Sequence, residues 1–149
     1  MPQKPTRKEY DEIANEFWWC STNVAKGIWR DELTYTKYMY DNIVQSCLVQ
    51  MITWYVAQEN GWTVNSGFHG KWIQKYLQPV LYESLKKTYA DGNYEAMWNA
   101  MFEAGRLFRT IGTAVAEALG YHYPLEDEQR VTEYWRRVRD LPKEAEDFR

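Results

Sequence analysis

The sequence predicts an all-α protein, an up-and-down bundle of about five to six helices. Apolar residues recur at the helical period along several stretches, and no stretch alternates convincingly at period two, as a half-buried strand would. Capping residues, glycines and prolines stand where these stretches begin and end. Because the connections between them are short, consecutive helices are expected to pack against one another around one core.

The first helix is predicted from about residue 7 to about residue 30, behind a capping box of Thr6 and Glu9. Its core-facing side carries Tyr10, Ile13, Phe17, Ser21, Val24 and Ile28. The opposite side, here termed the outward stripe, carries Glu16, Trp19, Asn23, Lys26 and Arg30. A Trp left in water forgoes on the order of 2 kcal/mol, so both a contact with a ligand or second domain and a plain surface remain open. On one flank, Trp18 and Trp29 are expected to pack at the edge of the core.

The second long helix is predicted between a connection at 31–34 and Asn60-Gly61, where the glycine supplies a left-handed C-cap. Its apolar positions are Tyr38, Met39, Ile43, Cys47, Met51, Trp54 and Tyr55. Residues 62–70 are expected to form a loop, followed by a short helix at 71–77. Another helix is predicted at 79–89, because Pro79 is well suited to the first helical position.

Asn93 is expected to cap a long helix over 94–119, which Gly120 ends. Its core stripe is Tyr94, Met97, Met101, Gly105, Phe108, Gly112, Val115 and Leu119. Gly105 and Gly112 lie one heptad apart, and each costs about 1 kcal/mol of helix propensity. We therefore expect them to allow a neighbouring backbone to approach closely.

The last helix is predicted to open at 125–127 and to stop before Pro142. Its buried positions are expected to be Val131, Tyr134, Trp135, Val138 and Leu141. Acidic residues at its start and arginines near its end complement the helix dipole. Residues 143–149 are expected to form a fraying tail.

The composition and net charge of the chain argue against several classes of function. A chain of 149 residues with 45% hydrophobic residues is expected to fold as one domain over 1–149. A net charge of −3 without a basic stripe argues against a nucleic-acid surface and suits a cationic ligand slightly better. Cys20 and Cys47 lack metal-ligand spacing and are expected to be free thiols. No secretory signal or membrane-spanning run is visible, so a cytoplasmic location without membrane contact is expected.

One glycine-rich stretch is similar to a phosphate-binding loop. Gly67–Lys71 has the glycines and the Lys, but Trp72 stands where the magnesium-binding hydroxyl belongs and no strand precedes it. Lys71 and Lys75 lie one turn apart at a helix start, where backbone N–H groups also favour anions. Two solvated lysines are the simpler interpretation, and a weak anion site is the other.

No motif makes a self-sufficient active site. The acidic run Glu126–Glu128 could be mistaken for a metal site, but its place at a helix start favours dipole complementation. His69 and His122 are expected at the surface, since they are too few for a zinc site and no paired nucleophile is in view. We therefore predict neither a catalytic residue nor a metal ligand in this chain.

Two blocks of the first helix resemble a known family. Asn15–Trp19 (Asn-Glu-Phe-Trp-Trp) and Val24–Arg30 (Val-Ala-Lys-Gly-Ile-Trp-Arg) closely resemble the C-terminal half of the bacterial aminoglycoside 6-adenylyltransferases, the streptomycin-modifying enzymes. The similarity spans essentially the whole chain. It continues through Lys4–Thr6, Tyr38–Asp41, Gly70–Leu77, Leu107–Arg109, Gly120–Pro124 and Val131–Tyr134.

The resemblance implies a role within a larger enzyme. Family members join an N-terminal nucleotidyltransferase domain, which holds ATP and Mg²⁺ through a Gly-Ser motif and an Asp-x-Asp pair, to a helical domain that closes over the antibiotic. This chain has no Gly-Ser pair followed by Asp-x-Asp. It is thus expected to be the helical substrate-binding domain alone, acting where AMP passes from ATP to a hydroxyl of streptomycin and confers resistance. By itself it is expected to bind no ATP or Mg²⁺ and to be inactive.

The resemblance also assigns roles to the outward stripe. Kanamycin nucleotidyltransferase, a related class, has a similar helix whose Lys approaches the nucleotide phosphates, and Lys26 is the nearest match. Glu16, Trp19, Asn23 and Arg30 are then expected to contact the aminoglycoside or the N-terminal domain, since a carboxylate suits a guanidinium of the drug. Two alternatives stay open: a stand-alone helical binding or dimerisation module, and an antitoxin-like partner of a separate nucleotidyltransferase.

Overall fold

The computed structural model describes residues 2–143, so Met1 and most of the predicted tail, 144–149, lie outside it. A π-helical segment, Met39–Val44, joins the helices Leu33–Tyr38 and Gln45–Glu59 into one continuous helix, 33–59. No strand occurs within residues 2–143, and the all-α prediction is confirmed. The helices are α1 (Arg7–Trp29), α2 (Leu33–Tyr38), α3 (Gln45–Glu59), α4 (Ile73–Tyr76), α5 (Pro79–Lys86), α6 (Tyr94–Leu119) and α7 (Leu125–Asp140).

The helix ends follow the capping residues. The Thr6 amide donates to Glu9 Oε1 at 2.8 Å and the Glu9 amide donates to Thr6 Oγ1 at 3.1 Å, which is the predicted capping box. Asn93 Oδ1 accepts from the first turn of α6 at 2.9 Å. Gly61 and Gly120 have φ of 63° and 75°, the left-handed conformation that closes a helix.

Two predicted boundaries differ from the structure. α4 covers only Ile73–Tyr76 instead of 71–77, after a 3₁₀ turn at Phe68–Gly70. α5 ends at Lys86 instead of residue 89. The reason lies in Thr88, whose carbonyl accepts hydrogen bonds from Tyr40 and Gln45 of the continuous helix. These tertiary bonds turn the chain away from helical continuation.

The second long helix was predicted to be a regular α-helix throughout, whereas the structure has the π-helical segment within it. Wider turns of this kind are rare and often mark functional sites, because they displace side chains from the regular helical face. Asp41 and Asn42, within the segment, are exposed.

The core is built on aromatic side chains from α1, α6 and α7. Phe17 stacks on Phe108 with ring centroids 3.9 Å apart. Trp18 meets Phe17 edge-on at 4.9 Å and lies 5.5 Å from Trp135. Stacked and edge-to-face ring pairs of this kind contribute about 0.5–1.5 kcal/mol beyond their buried area. α1 therefore packs on α7 and α6 through its predicted core-facing side.

The two glycines of the α6 stripe make room for rings instead of backbone. A Cβ at Gly105 would lie 3.2 Å from the Trp18 ring and 3.3 Å from the Trp135 ring. A Cβ at Gly112 would lie 3.0 Å from the Tyr123 ring. The close approach was predicted, but its partner was not, because periodicity shows which side of a helix is buried and not what covers it.

Candidate functional site

The outward stripe lies along the side of α1 that faces away from the core. It spans 15 residues, from Glu16 to Arg30, which corresponds to about 21 Å of helix. Glu16, Trp19 and Arg30 are exposed, whereas Asn23 and Lys26 are half-buried. Trp19 keeps 43% of its surface exposed, so the indole is available to a partner. The functional roles of these residues stay predictions.

Lys26 is the central cation of the stripe. Within residues 2–143, no carboxylate lies within ion-pair distance of its ammonium group. Its backbone carbonyl accepts from the Arg30 amide at 2.9 Å, so this part of α1 is regular helix. A lysine without an acidic partner among the described residues is suited to an anion supplied from outside the chain.

Glu16 stands at the edge of the stripe, beside the two thiols. Burial, the negative charge of Glu16, the neighbouring Cys20 and a hydrogen bond with Glu16 together raise the pKa of the Cys47 thiol to about 12. Burial and then Glu16 also raise the pKa of Cys20. Both thiols are free, as predicted. Glu16 is therefore shared between the stripe and the contact of α1 with α3.

The C-terminal end of the stripe opens onto a concave surface. Arg30 lines a cavity of about 580 Å³ together with Glu32, Leu33, Thr34 and Tyr35. Leu33 and Tyr35 are 43% and 48% exposed, which places apolar surface next to the guanidinium. The rest of the stripe is a convex helix surface that needs a partner to form a pocket.

Trp18 and Trp29 both pack, as expected, but at different depths. Trp18 is fully buried at the centre of the core instead of its edge, and its indole N–H donates to the Tyr123 hydroxyl at 3.2 Å. Trp29 is half-buried, and the Lys143 ammonium lies 5.9 Å above its ring. Neither indole is placed to meet a ligand on the outward stripe.

The acidic run at the start of α7 does more than complement a dipole. Glu128 is 4% exposed and accepts from Arg109 Nε at 2.6 Å and from the Tyr123 hydroxyl at 2.7 Å. Burial and this hydrogen bond raise the pKa of Tyr123, so its hydroxyl stays a donor. The dipole interpretation was incomplete, because a long-range partner on α6 is invisible in local sequence.

Asp127 behaves as a surface residue of the same turn, with its carboxylate 3.9 Å from Arg130. His69 and His122 are exposed, as predicted. Within residues 2–143, no three His, Cys, Asp or Glu side chains come together as a metal site would require.

Lys71 and Lys75 share one aromatic ring. Their ammonium groups lie 5.0 and 5.9 Å from the centroid of Trp72, which is itself 44% exposed. Cation–π contacts at an exposed site contribute about 0.5–1 kcal/mol each. This contact accounts for the spacing of the two lysines without an anion.

Sequence reasoning missed a polar cleft beside the π-helical segment. It has a volume of about 550 Å³ and lies between the continuous helix and the loop 67–70. Its polar residues were hidden in sequence because their spacing is also that of a solvated helix face. The lining comprises Asp41, Asn42, Gln45, Ser46, Val49, Gln50, Thr53, Gly67, His69, Gly70 and Tyr89.

Comparison with known proteins identifies the family. Residues 1–138 match the family model described as streptomycin adenylyltransferase. The chain belongs to this family. It is 36% identical over 132 residues to an aminoglycoside 6-adenylyltransferase of Bacillus subtilis (strain 168), covering 89% of this chain and 46% of the relative. A relative of the same name from Campylobacter jejuni is 35% identical over 127 residues, covering 85% and 44%.

The fold of this adenylyltransferase family member agrees with a solved relative. The crystal structure of an aminoglycoside 6-adenyltransferase from Bacillus subtilis superposes with a TM-score of 0.84 at 33% identity, covering 93% of this chain and 52% of that one. The chain thus spans about half the length of the relatives it matches, corresponding to their C-terminal region. No helix within residues 2–143 is both long and apolar enough to cross a membrane.

Proposed function

We propose that the chain is the helical substrate-binding domain of an aminoglycoside 6-adenylyltransferase. In this proposal it closes over the drug while AMP passes from ATP to a hydroxyl of an aminoglycoside such as streptomycin, which confers resistance in the cytoplasm. The observation that carries the proposal is the family match over 1–138, in a chain that spans only about half of its relatives. A nucleotidyltransferase domain is then the expected partner.

The outward stripe supplies the contacts of this proposed role. Lys26 meets the nucleotide phosphates, since its ammonium group has no acidic partner among the described residues and can form charge-assisted hydrogen bonds. Trp19, Asn23 and Arg30 contact the drug or the partner domain through exposed or half-exposed surface. Glu16 offers its carboxylate to a drug cation from the edge of the stripe.

The metal chemistry belongs elsewhere in this proposal. ATP-dependent transfer of AMP needs positive charge on the phosphates, and the adenylyltransferases are expected to supply it with metal ions held by carboxylates. The described residues contain no carboxylate cluster that could hold such an ion. We therefore expect the chain alone to transfer no AMP, and we assign no catalytic step to its residues.

The first test of this function uses the chain fused to the N-terminal half of the Bacillus subtilis relative. We expect ATP-dependent modification of streptomycin by the fusion and none by the chain alone, measured by mass spectrometry of the drug. A fusion that folds but leaves the drug unmodified, alongside an active full-length relative, would contradict the proposal.

The same fusion tests Lys26. Lys26→Ala should remove a charge-assisted contact of roughly 1.5–3 kcal/mol and lower kcat/KM at least tenfold. Lys8→Ala is the matched control, because Lys8 is an exposed lysine of α1 outside the stripe. The melting temperature of both variants should change little, because the surface pair of Lys8 with Glu12 contributes little stability and Lys26 has no ion-pair partner among the described residues. Equal activity of the two variants would remove Lys26 from the phosphate site.

A further inference from the structure

The polar cleft beside the π-helical segment has the size and shape of a small-molecule site. Its volume of about 550 Å³ falls within the roughly 300–1,000 Å³ typical of ligand pockets. Asp41, Asn42 and Ser46 stand on one wall, and His69 stands on the other. None of these residues belongs to the outward stripe, so the cleft is a separate surface.

The far wall of the cleft is a loop held in unusual conformations. Gly67 and Gly70 have φ of 83° and 73°, and His69, between them, has φ of 53°. A Cβ at Gly70 would lie 3.1 Å from Val49 of α3, so only glycine allows the loop to approach the helix this closely. The loop and the helix therefore form the two walls of one shaped cleft.

Gln45 leaves one hydrogen-bonding atom unused in the wall of the cleft. The side chain is 4% exposed, and its Nε2 donates to Thr88 Oγ1 at 3.0 Å and to the Thr88 carbonyl at 3.3 Å. Its Oε1 is buried and has no hydrogen-bond partner among the described residues. This oxygen has almost no accessible surface, so Gln45 forms part of the wall and is held there by its bonds to Thr88.

The charge of the lining indicates which ligand fits the cleft. Asp41 is its one carboxylate, and no Lys or Arg lines the cleft. Lys37 lies 3.3 Å from Asp41, yet the Asp41 side chain remains 45% exposed to solvent. Hydroxyl, amide and carboxylate groups without a lining cation suit a polyhydroxylated ligand with positive charge and disfavour a phosphate.

We propose that the cleft receives a ring of the aminoglycoside that carries hydroxyl and cationic groups. Asp41 meets a cation of this ring, and the exposed side chains of Asn42 and Ser46 hydrogen-bond its hydroxyls. The drug class in this statement rests on the proposed function, whereas the cleft itself does not.

Calorimetric titration of the 149-residue chain with streptomycin tests the cleft. Asp41→Asn removes the carboxylate, and Ser46→Arg places a bulky cation in the cleft from an exposed position of α3. Each change should weaken binding at least tenfold. Glu117→Gln is the control, because it removes an exposed carboxylate of α6 outside the cleft and should leave binding unchanged. myo-Inositol, a neutral polyol, should bind at least tenfold more weakly than streptomycin.

The outcomes separate the cleft from the proposed function. Streptomycin binding that is equally tight in the wild type, Asp41→Asn and Ser46→Arg overturns the cleft and leaves the proposed function standing. A wild-type chain that binds no streptomycin also overturns the cleft, and drug modification by the fusion enzyme then decides the function independently. Thermal unfolding confirms that each variant is folded, and Asp41→Asn decides alone if Ser46→Arg is not.

Discussion

Trp18 and Trp19 are neighbours in the chain and opposites in the structure. Trp18 is fully buried, packs beside Trp135 and donates to Tyr123, whereas Trp19 is 43% exposed on the outward stripe. One residue type therefore serves as core on one side of α1 and as available surface on the other. The difference teaches that the buried and the exposed sides of this helix are separable by mutation.

The largest expected difference in the free energy of unfolding is that between Trp18→Ala and Trp19→Ala, and it tests directly whether the two sides of α1 differ. Trp18→Ala is expected to lower the free energy of unfolding by about 3–5 kcal/mol, because it leaves a cavity among rings that cannot collapse. Trp19→Ala should cost about 1 kcal/mol, since much of its surface is already in water. Urea denaturation measures both. Equal losses would show that the stripe is core.

Two carboxylates at the start of α7 allow a second comparison of a buried with an exposed residue. The Trp18 indole donates to the Tyr123 hydroxyl, which in turn donates to Glu128. Glu128→Ala leaves the buried Tyr123 hydroxyl without its acceptor and should lower the free energy of unfolding by about 1–3 kcal/mol. Glu126→Ala, at an exposed position of the same turn, should cost about 0.5 kcal/mol through the helix dipole. The same urea titration compares them. If both changes cost the same, Glu128 acts only on the dipole.

The smallest expected effect is on the reactivity of Cys20 after replacement of Glu16, an exposed residue of the stripe that also lies beside the two thiols. Glu16 raises the pKa of Cys20, so Glu16→Gln should lower that pKa and increase the thiolate fraction at pH 8.5. We expect Cys20 alkylation by iodoacetamide to become about two- to threefold faster, measured by peptide mass spectrometry. Glu12→Gln, an exposed carboxylate of α1, is the control and should leave the rate unchanged. An unaltered Cys20 rate in Glu16→Gln would place Glu16 wholly on the stripe.

Most of the fold could be predicted from local patterns. The capping box at Thr6, the cap at Asn93 and the glycine at 120 set helix ends that the structure reproduces, because capping depends on residues within one turn. The buried sides of α1, α6 and α7 follow from the helical period. The early end of α5 could not be predicted, since the hydrogen bonds of Thr88 come from Tyr40 and Gln45, more than 40 residues away along the chain.

Of the two candidate sites, one could be predicted from the sequence and the other could not. The outward stripe was visible in sequence, because an exposed Trp among charges interrupts a plain solvent face. The polar cleft was not, because Asp41 and Gln45 gain their meaning only when the loop 67–70 closes against them. From sequence alone, a polar residue on a helix face is interpreted as solvated, because the element that packs opposite it is not known.

The amino-acid sequence by itself determined the all-α class, the helix order, the buried sides of α1, α6 and α7 and the family resemblance. These properties depend on interactions within a few turns or on residue identity alone. The tertiary structure decided the depth of Trp18, the ion pair of Glu128 with Arg109, the π-helical segment and the cleft. The burial of Trp18, the ion pair and the cleft join residues far apart in the chain, and the free energy of such contacts exists only once the helices have packed.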